Sequence, residues 1–139
     1  MAKINLWAVL VGAVLYMALG FVWYSPALFG PRFTALMTFT PEQVARLGEG
    51  MGPSYAAMLV GALVMALVLE RLAAWTRAGS AAGGAGLGAL VWLAAAVTTG
   101  ISTVIFESRP LGLYLINGGY HLVAFVLVGA LVAGWRKRA

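Results

Sequence analysis

The chain has 139 residues, 63% of them hydrophobic and only 9% charged, with a formal net charge of +5 and a mean hydropathy of +0.95. A soluble domain of this size leaves much of its surface exposed and could not hide so much apolar area, so lipid has to cover the remainder of one all-α domain spanning 1–139. With no cysteine, disulfides, thiolate metal ligands, iron–sulfur ligation and a cysteine nucleophile are excluded.

The first apolar run, residues 4–24, is long enough to cross a hydrocarbon core about 30 Å thick. Lys3 gives it a positive flank, but the run is too long for a signal peptide and no small-x-small cleavage site precedes Pro26, so it is an anchor helix. The next segment, 25–53, is the long connection and carries Pro26, Pro31, Pro41 and Pro53. Residues 27–39 are too apolar for a free loop and are expected in the membrane interface. Thr40-Pro41-Glu42-Gln43 is a capping-box pattern with proline at the first helical position, which predicts a short surface helix over 41–47, ended by Gly48.

The second run, 54–75, contains Glu70 and Arg71 about one turn from its end, where both are expected to snorkel to the interface. A short turn at 76–80 leads to the third run, 81–106. The Gly-rich stretch at its start follows no strand and is discounted as a nucleotide loop. Phe106-Glu107-Ser108-Arg109-Pro110 then forms a tight turn into the fourth run, 112–135. The architecture expected is an integral membrane four-helix bundle with one extra short helix.

The basic residues lie at the ends of the runs, the pattern of a membrane protein and not of a nucleic-acid stripe. Lys3, Arg71, Arg77, Arg136, Lys137 and Arg138 share one side, against Arg32, Arg46 and Arg109 on the other. This asymmetry is expected to place both termini in the cytoplasm, against an anionic leaflet. Trp7, Trp75 and Trp135 then mark the inner interface, with Trp23, Tyr24, Tyr55 and Tyr114 nearer the outer one. Small residues recur at four-residue spacing: Ala8, Gly12 and Gly20, then Ala57 and Gly61, Gly84 and Gly88, Gly129 and Ala133. Such ridges let helices approach closely in lipid, and their number predicts a homo-oligomer as well as internal packing.

On the fourth run Tyr114, Asn117 and His121 are spaced i, i+3, i+7 and share a face. Counted from Gly112 at 1.5 Å per residue, Asn117 lies about 7–8 Å and His121 about 13–14 Å down the axis, close to the bilayer middle. Thr99 and Ser102 on the antiparallel third run match that depth, with Glu107 and Arg109 at the outer end and Tyr24 ending the first run at the same level. Polar groups at such depth are expensive and need partners. Three readings stay open. The seam binds or passes a small polar solute, ion or proton; it only fixes helix register in an accessory subunit; or His121 and Glu107 act as an acid–base pair on a lipid-soluble substrate. The first leads. No cofactor, metal-ligand set or nucleic-acid partner is expected; the partners are the bilayer, a second copy and a small solute or ion.

Two blocks, Trp23-Tyr24-Ser25-Pro26-Ala27-Leu28-Phe29-Gly30 and Phe106-Glu107-Ser108-Arg109-Pro110 continuing through Leu113-Tyr114-Leu115-Ile116-Asn117-Gly118-Gly119-Tyr120, resemble a bacterial membrane family described as domain of unknown function 1761. The resemblance covers nearly the whole chain and implies a four-helix integral membrane protein, without activity, substrate or cofactor. That family often has Asp where this chain has Asn117, a departure that removes a carboxylate from the seam.

Overall fold

The computed structural model describes residues 2–136, and six helices account for most of them. Four are long and apolar enough to cross a membrane: α1 (Leu6–Trp23), α4 (Gly52–Trp75), α5 (Ala81–Phe106) and α6 (Leu111–Gly134). Two short ones, α2 (Gly30–Met37) and α3 (Pro41–Gly48), lie in the long connection.

Local chemistry sets the boundaries. The Asn5 side chain accepts the Ala8 N–H to cap α1, and the Ser80 hydroxyl accepts the Gly83 N–H to cap α5. The box expected at Thr40 is present in both directions, with the Gln43 N–H on the Thr40 hydroxyl at 3.3 Å and the Thr40 N–H on the Gln43 side chain at 2.9 Å. Residues 27–39, read as an interfacial segment, hold a real helix, with Pro31 in the first turn of α2 and Thr38 closing it in the left-handed region at φ 47°. The two tight connections, α4 to α5 and α5 to α6, each turn on a non-glycine residue of positive φ, Arg77 at 57° and Ser108 at 53°.

The core is built from three of the four spans. Ala8 and Val9 of α1, Ala66 and Leu69 of α4, and Val128 and Val132 of α6 form one buried cluster. Helix α5 packs chiefly on α6, and a Cβ on Gly84 or Gly88 would run into the backbone carbonyl of Gly129 or Phe125. In lipid, where burial gives helices no hydrophobic drive to associate, such backbone-to-backbone approach is how an element is held.

The packing assigns the small-residue ridges. Gly12 faces Val128 and Ala66, Gly20 faces the Tyr120 hydroxyl, and Gly84 and Gly88 meet α6, so these ridges serve the fold of one chain. Helix α4 departs from expectation. Its inward face is Ala62, Ala66, Leu69, Glu70 and Ala73, whereas Ala57 and Gly61 are exposed, and a Cβ on Gly61 would touch nothing.

Glu70 is also a correction. It does not snorkel but is fully buried, its Oε1 accepting Arg136 Nη1 at 2.6 Å and the Asn5 N–H at 3.3 Å. Arg71 reaches the Ala2 carbonyl from the exposed side. Arg136 belongs to the basic tail; its other members, Lys137 and Arg138, lie outside the described residues. These contacts bring the start of α1 and the ends of α4 and α6 together. One end of the bundle therefore carries both chain ends, and the other carries α2 and the α5–α6 turn.

Candidate functional site

A cavity of about 410 Å³ opens between α5 and α6 in the half of the bundle farther from the chain ends. That volume falls within the range of small-molecule sites, about 300–1,000 Å³. Its walls are Ala96, Thr99, Gly100 and Thr103 of α5, Leu113, Tyr114, Asn117, Gly118 and His121 of α6, Phe33 and Met37 of α2, and Glu107 with Arg109 from the turn.

Six of the sequence candidates thus meet in one space: Thr99, Glu107, Arg109, Tyr114, Asn117 and His121. The i, i+3, i+7 spacing on α6 does present one face. Tyr24 stands behind the wall and joins through its hydroxyl, which donates to Asn117 Oδ1 at 2.6 Å. Ser102 is not part of the lining and is exposed on α5, because its neighbour Thr103 takes the inward position.

His121 is fixed from two directions. Its Nδ1 lies 2.7 Å from the Asn117 carbonyl, which can only accept, so this nitrogen carries the hydrogen. In the neutral ring Nε2 is then the acceptor, and it takes the Tyr16 hydroxyl at 3.3 Å. Tyr16 is held in turn, since its carbonyl accepts the hydroxyl of the buried Tyr120 at 2.8 Å. The rings of Tyr16, Tyr120 and His121 lie close together, with Tyr16 and Tyr120 centroids 5.1 Å apart.

Two indoles add to the same stretch of α6. Trp23 Nε1 donates to the Ile116 carbonyl at 3.1 Å and Trp92 Nε1 to the Gly118 carbonyl at 2.9 Å. Together with His121 on Asn117, three consecutive carbonyls each accept a side-chain donor in addition to their helical role. Gly118 and Gly119 leave the backbone bare enough for this, and the Trp23 ring sits where a side chain at 119 would be. Trp23 and Tyr24 therefore turn inward, toward α6.

The wall chemistry is mixed. Thr99 and Thr103 donate their hydroxyl hydrogens back to the carbonyls of Ala95 and Thr99, which leaves oxygen lone pairs as acceptors. The Asn117 amide nitrogen and the Tyr114 hydroxyl supply donors, and the Tyr114 ring lies against Gly100 where a Cβ would collide with it. At the turn Arg109 Nε lies 3.5 Å from Glu107 Oε2, both side chains about half exposed. A small polar species could thus exchange water for donors and acceptors on both helices, among them the His121 imidazole.

The sequence did not single out Tyr16, Tyr120, Trp23 or Trp92 as parts of this site, nor Phe33 and Met37 as its lid. The signal was partial: Tyr16 and Gly20 stand on one ridge, and the Gly118-Gly119 pair marks bare backbone in a span.

Neither the curated proteins nor the solved structures compared with the chain contain a match. The family model described as Protein of unknown function (DUF1761) matches residues 7–133, a stretch that takes in all four spans but for the outermost residue of the first and last, and every wall of the cavity, and the chain belongs to that family.

Proposed function

We propose that the α5–α6 cavity binds or passes a small polar solute, ion or proton. One observation carries this reading: His121, the only histidine, lines the cavity near the middle of α6 with its ring orientation fixed by Asn117 and Tyr16. Helix register alone needs no titratable group there. The acid–base alternative has less support, because no hydrogen bond links His121 with Glu107 among the described residues.

The accompanying topology puts both chain ends on the cytoplasmic side of an inner membrane, by the excess of Lys and Arg at that end. A homo-oligomer built on small-residue ridges would use Ala57 and Gly61, since the other ridges are occupied within the chain.

The test is a pair of measurements on His121→Gln, which keeps hydrogen-bonding capacity and removes the proton exchange. Solute or proton flux into vesicles should fall by at least about tenfold while the melting temperature stays close to that of the parent chain, the separation expected of a group that acts through its proton. Loss of stability and flux in proportion would assign His121 to the seam alone, and unchanged flux across a panel of ions and small polar solutes would leave the cavity without this role.

A further inference from the structure

The end of the bundle that carries both chain ends holds a second cavity, of about 560 Å³, walled by Ala2, Lys3, Ile4, Asn5, Trp7, Glu70, Trp135 and Arg136. It shares no residue with the α5–α6 cavity, and nothing in the reading of that site uses it.

Its chemistry is two-sided. Lys3 and Arg136 bring positive charge and N–H donors, and only one guanidinium nitrogen of Arg136 is spent on Glu70. Glu70 brings the acceptor. Its Oε1 holds Arg136 and Asn5, but its Oε2 is buried without any hydrogen-bond partner among the described residues. An unpaired carboxylate oxygen in a buried place costs its full desolvation, so a donor from outside the chain is called for. The surroundings say where that donor comes from. Trp7 is 72% exposed and Trp135 45% exposed at the cavity edge, as indoles are at the level of lipid headgroups.

We infer that this cavity is a site for one phospholipid whose headgroup carries both a phosphate and a protonated amine, the phosphate on Lys3 and Arg136 and the ammonium on Glu70 Oε2. Phosphatidylethanolamine is the simplest lipid of that class. Glu70 Oε2 is shielded from solvent, so the ammonium reaches it only as the carboxyl group turns to bring Oε2 to the cavity, a turn that keeps Arg136 on Oε1 and gives up the longer Oε1 bond, the Asn5 N–H at 3.3 Å. A quaternary headgroup has no N–H to offer and leaves the oxygen as it was. The site thus discriminates by donor count, with charge left equal.

The experiment is native mass spectrometry of the full-length chain, delipidated and titrated with lipids of matched acyl chains. The headgroups run from phosphatidylethanolamine through its mono- and dimethyl forms to phosphatidylcholine. Retention should drop by about tenfold at the last step, where the final N–H is lost, the weight of one charge-assisted hydrogen bond. Glu70→Gln, in protein shown to be folded by its melting curve, should erase this preference. Lys3→Ala should weaken all four lipids alike and keep their order. Equal retention of the four by the parent chain overturns the assignment, and since that measurement needs no variant it stands even where Glu70→Gln fails to fold. A preference that survives in folded Glu70→Gln also overturns it. Binding of soluble glycerophosphoethanolamine as tightly as the whole lipid would move the site from the bilayer to a free metabolite and overturn the lipid assignment.

Discussion

His121 and Tyr16 are 105 positions apart in the chain, yet the ring of one depends on the hydroxyl of the other. The Asn117 carbonyl sets the tautomer, and the Tyr16 hydroxyl serves the nitrogen that this leaves as acceptor. The ring has an outward wall, toward the cavity, and a fixed inner face against Tyr16 and Tyr120. Gly100 performs a comparable service for Tyr114 on the facing helix. With no side chain there, the tyrosine ring fills the notch and forms one side of the cavity. Gly100→Ala should therefore evict the ring and cost about 1–3 kcal/mol by overpacking. Gly86→Ala is the matched control, since nothing lies within 4 Å of a Cβ at that position. There the helix should gain up to about 1 kcal/mol from propensity alone. Equal melting temperatures for the two variants would show that Tyr114 relaxes without strain. The polar face of α6 was legible because Tyr114, Asn117 and His121 repeat at helical spacing. Tyr16 was not, because α1 is apolar on all sides and periodicity offers no means to choose its inward face.

The same ambiguity acts on whole elements. Helix α4 has two stripes of small residues, and both are equally good ridges by spacing. The structure buries Ala62, Ala66 and Ala73 and leaves Ala57 and Gly61 outside. The selecting contacts are Glu70 with Asn5 and Arg136, and a long-range ion pair of that kind cannot be read from the run itself. Helix α5 shows the opposite case, for its glycine ridge was visible and its partner is now known to be α6. Gly84→Leu should separate the two helices near the chain ends, because the side chain would need the space of the Gly129 carbonyl. Such overpacking costs about 1–3 kcal/mol or more, and should appear as a lower melting temperature in detergent without any requirement for an oligomer. A Gly84→Leu chain as stable as the parent, but altered in its association, would instead put this ridge at a subunit boundary. The short helix α3 was legible to within one residue at its end, since its capping box is local chemistry and owes nothing to packing.

For the molecule as a whole, the four long apolar helices came directly from hydropathy, each starting and ending within two residues of the apolar run that announced it. Less of the site could be read in advance. Its floor and wall lie on α5 and α6, but its lid comes from α2, a short helix whose pattern suits the membrane interface and does not name α6 as its partner. The topology is testable in whole cells. A reporter joined after Ala139 and another inserted at residues 76–80 should read cytoplasmic, whereas one beside Arg46 should read extracytoplasmic. An extracytoplasmic signal from the chain end would reverse the bundle and move the α5–α6 cavity to the inner leaflet.

The uneven distribution of ties around α6 has a mechanical consequence. Toward α1 and the residue that follows it, α6 makes four hydrogen bonds, through Tyr16, Trp23, Tyr24 and Tyr120. Toward α5 the described residues give it one, from Trp92. At roughly 0.6 kcal/mol for each such bond within a membrane, the hydrogen-bonded part of the hold on α6 is several times larger for α1 than for α5, which is held chiefly by close packing. One end of α5 is clamped backbone to backbone at Gly84 and Gly88. Helix α5 is thus held by shape, at Gly84 and Gly88 and farther out at Gly100 against the Tyr114 ring, with Trp92 as its one polar tie among the described residues. The space that His121 faces therefore keeps its width by packing on one side and by hydrogen bonds on the other.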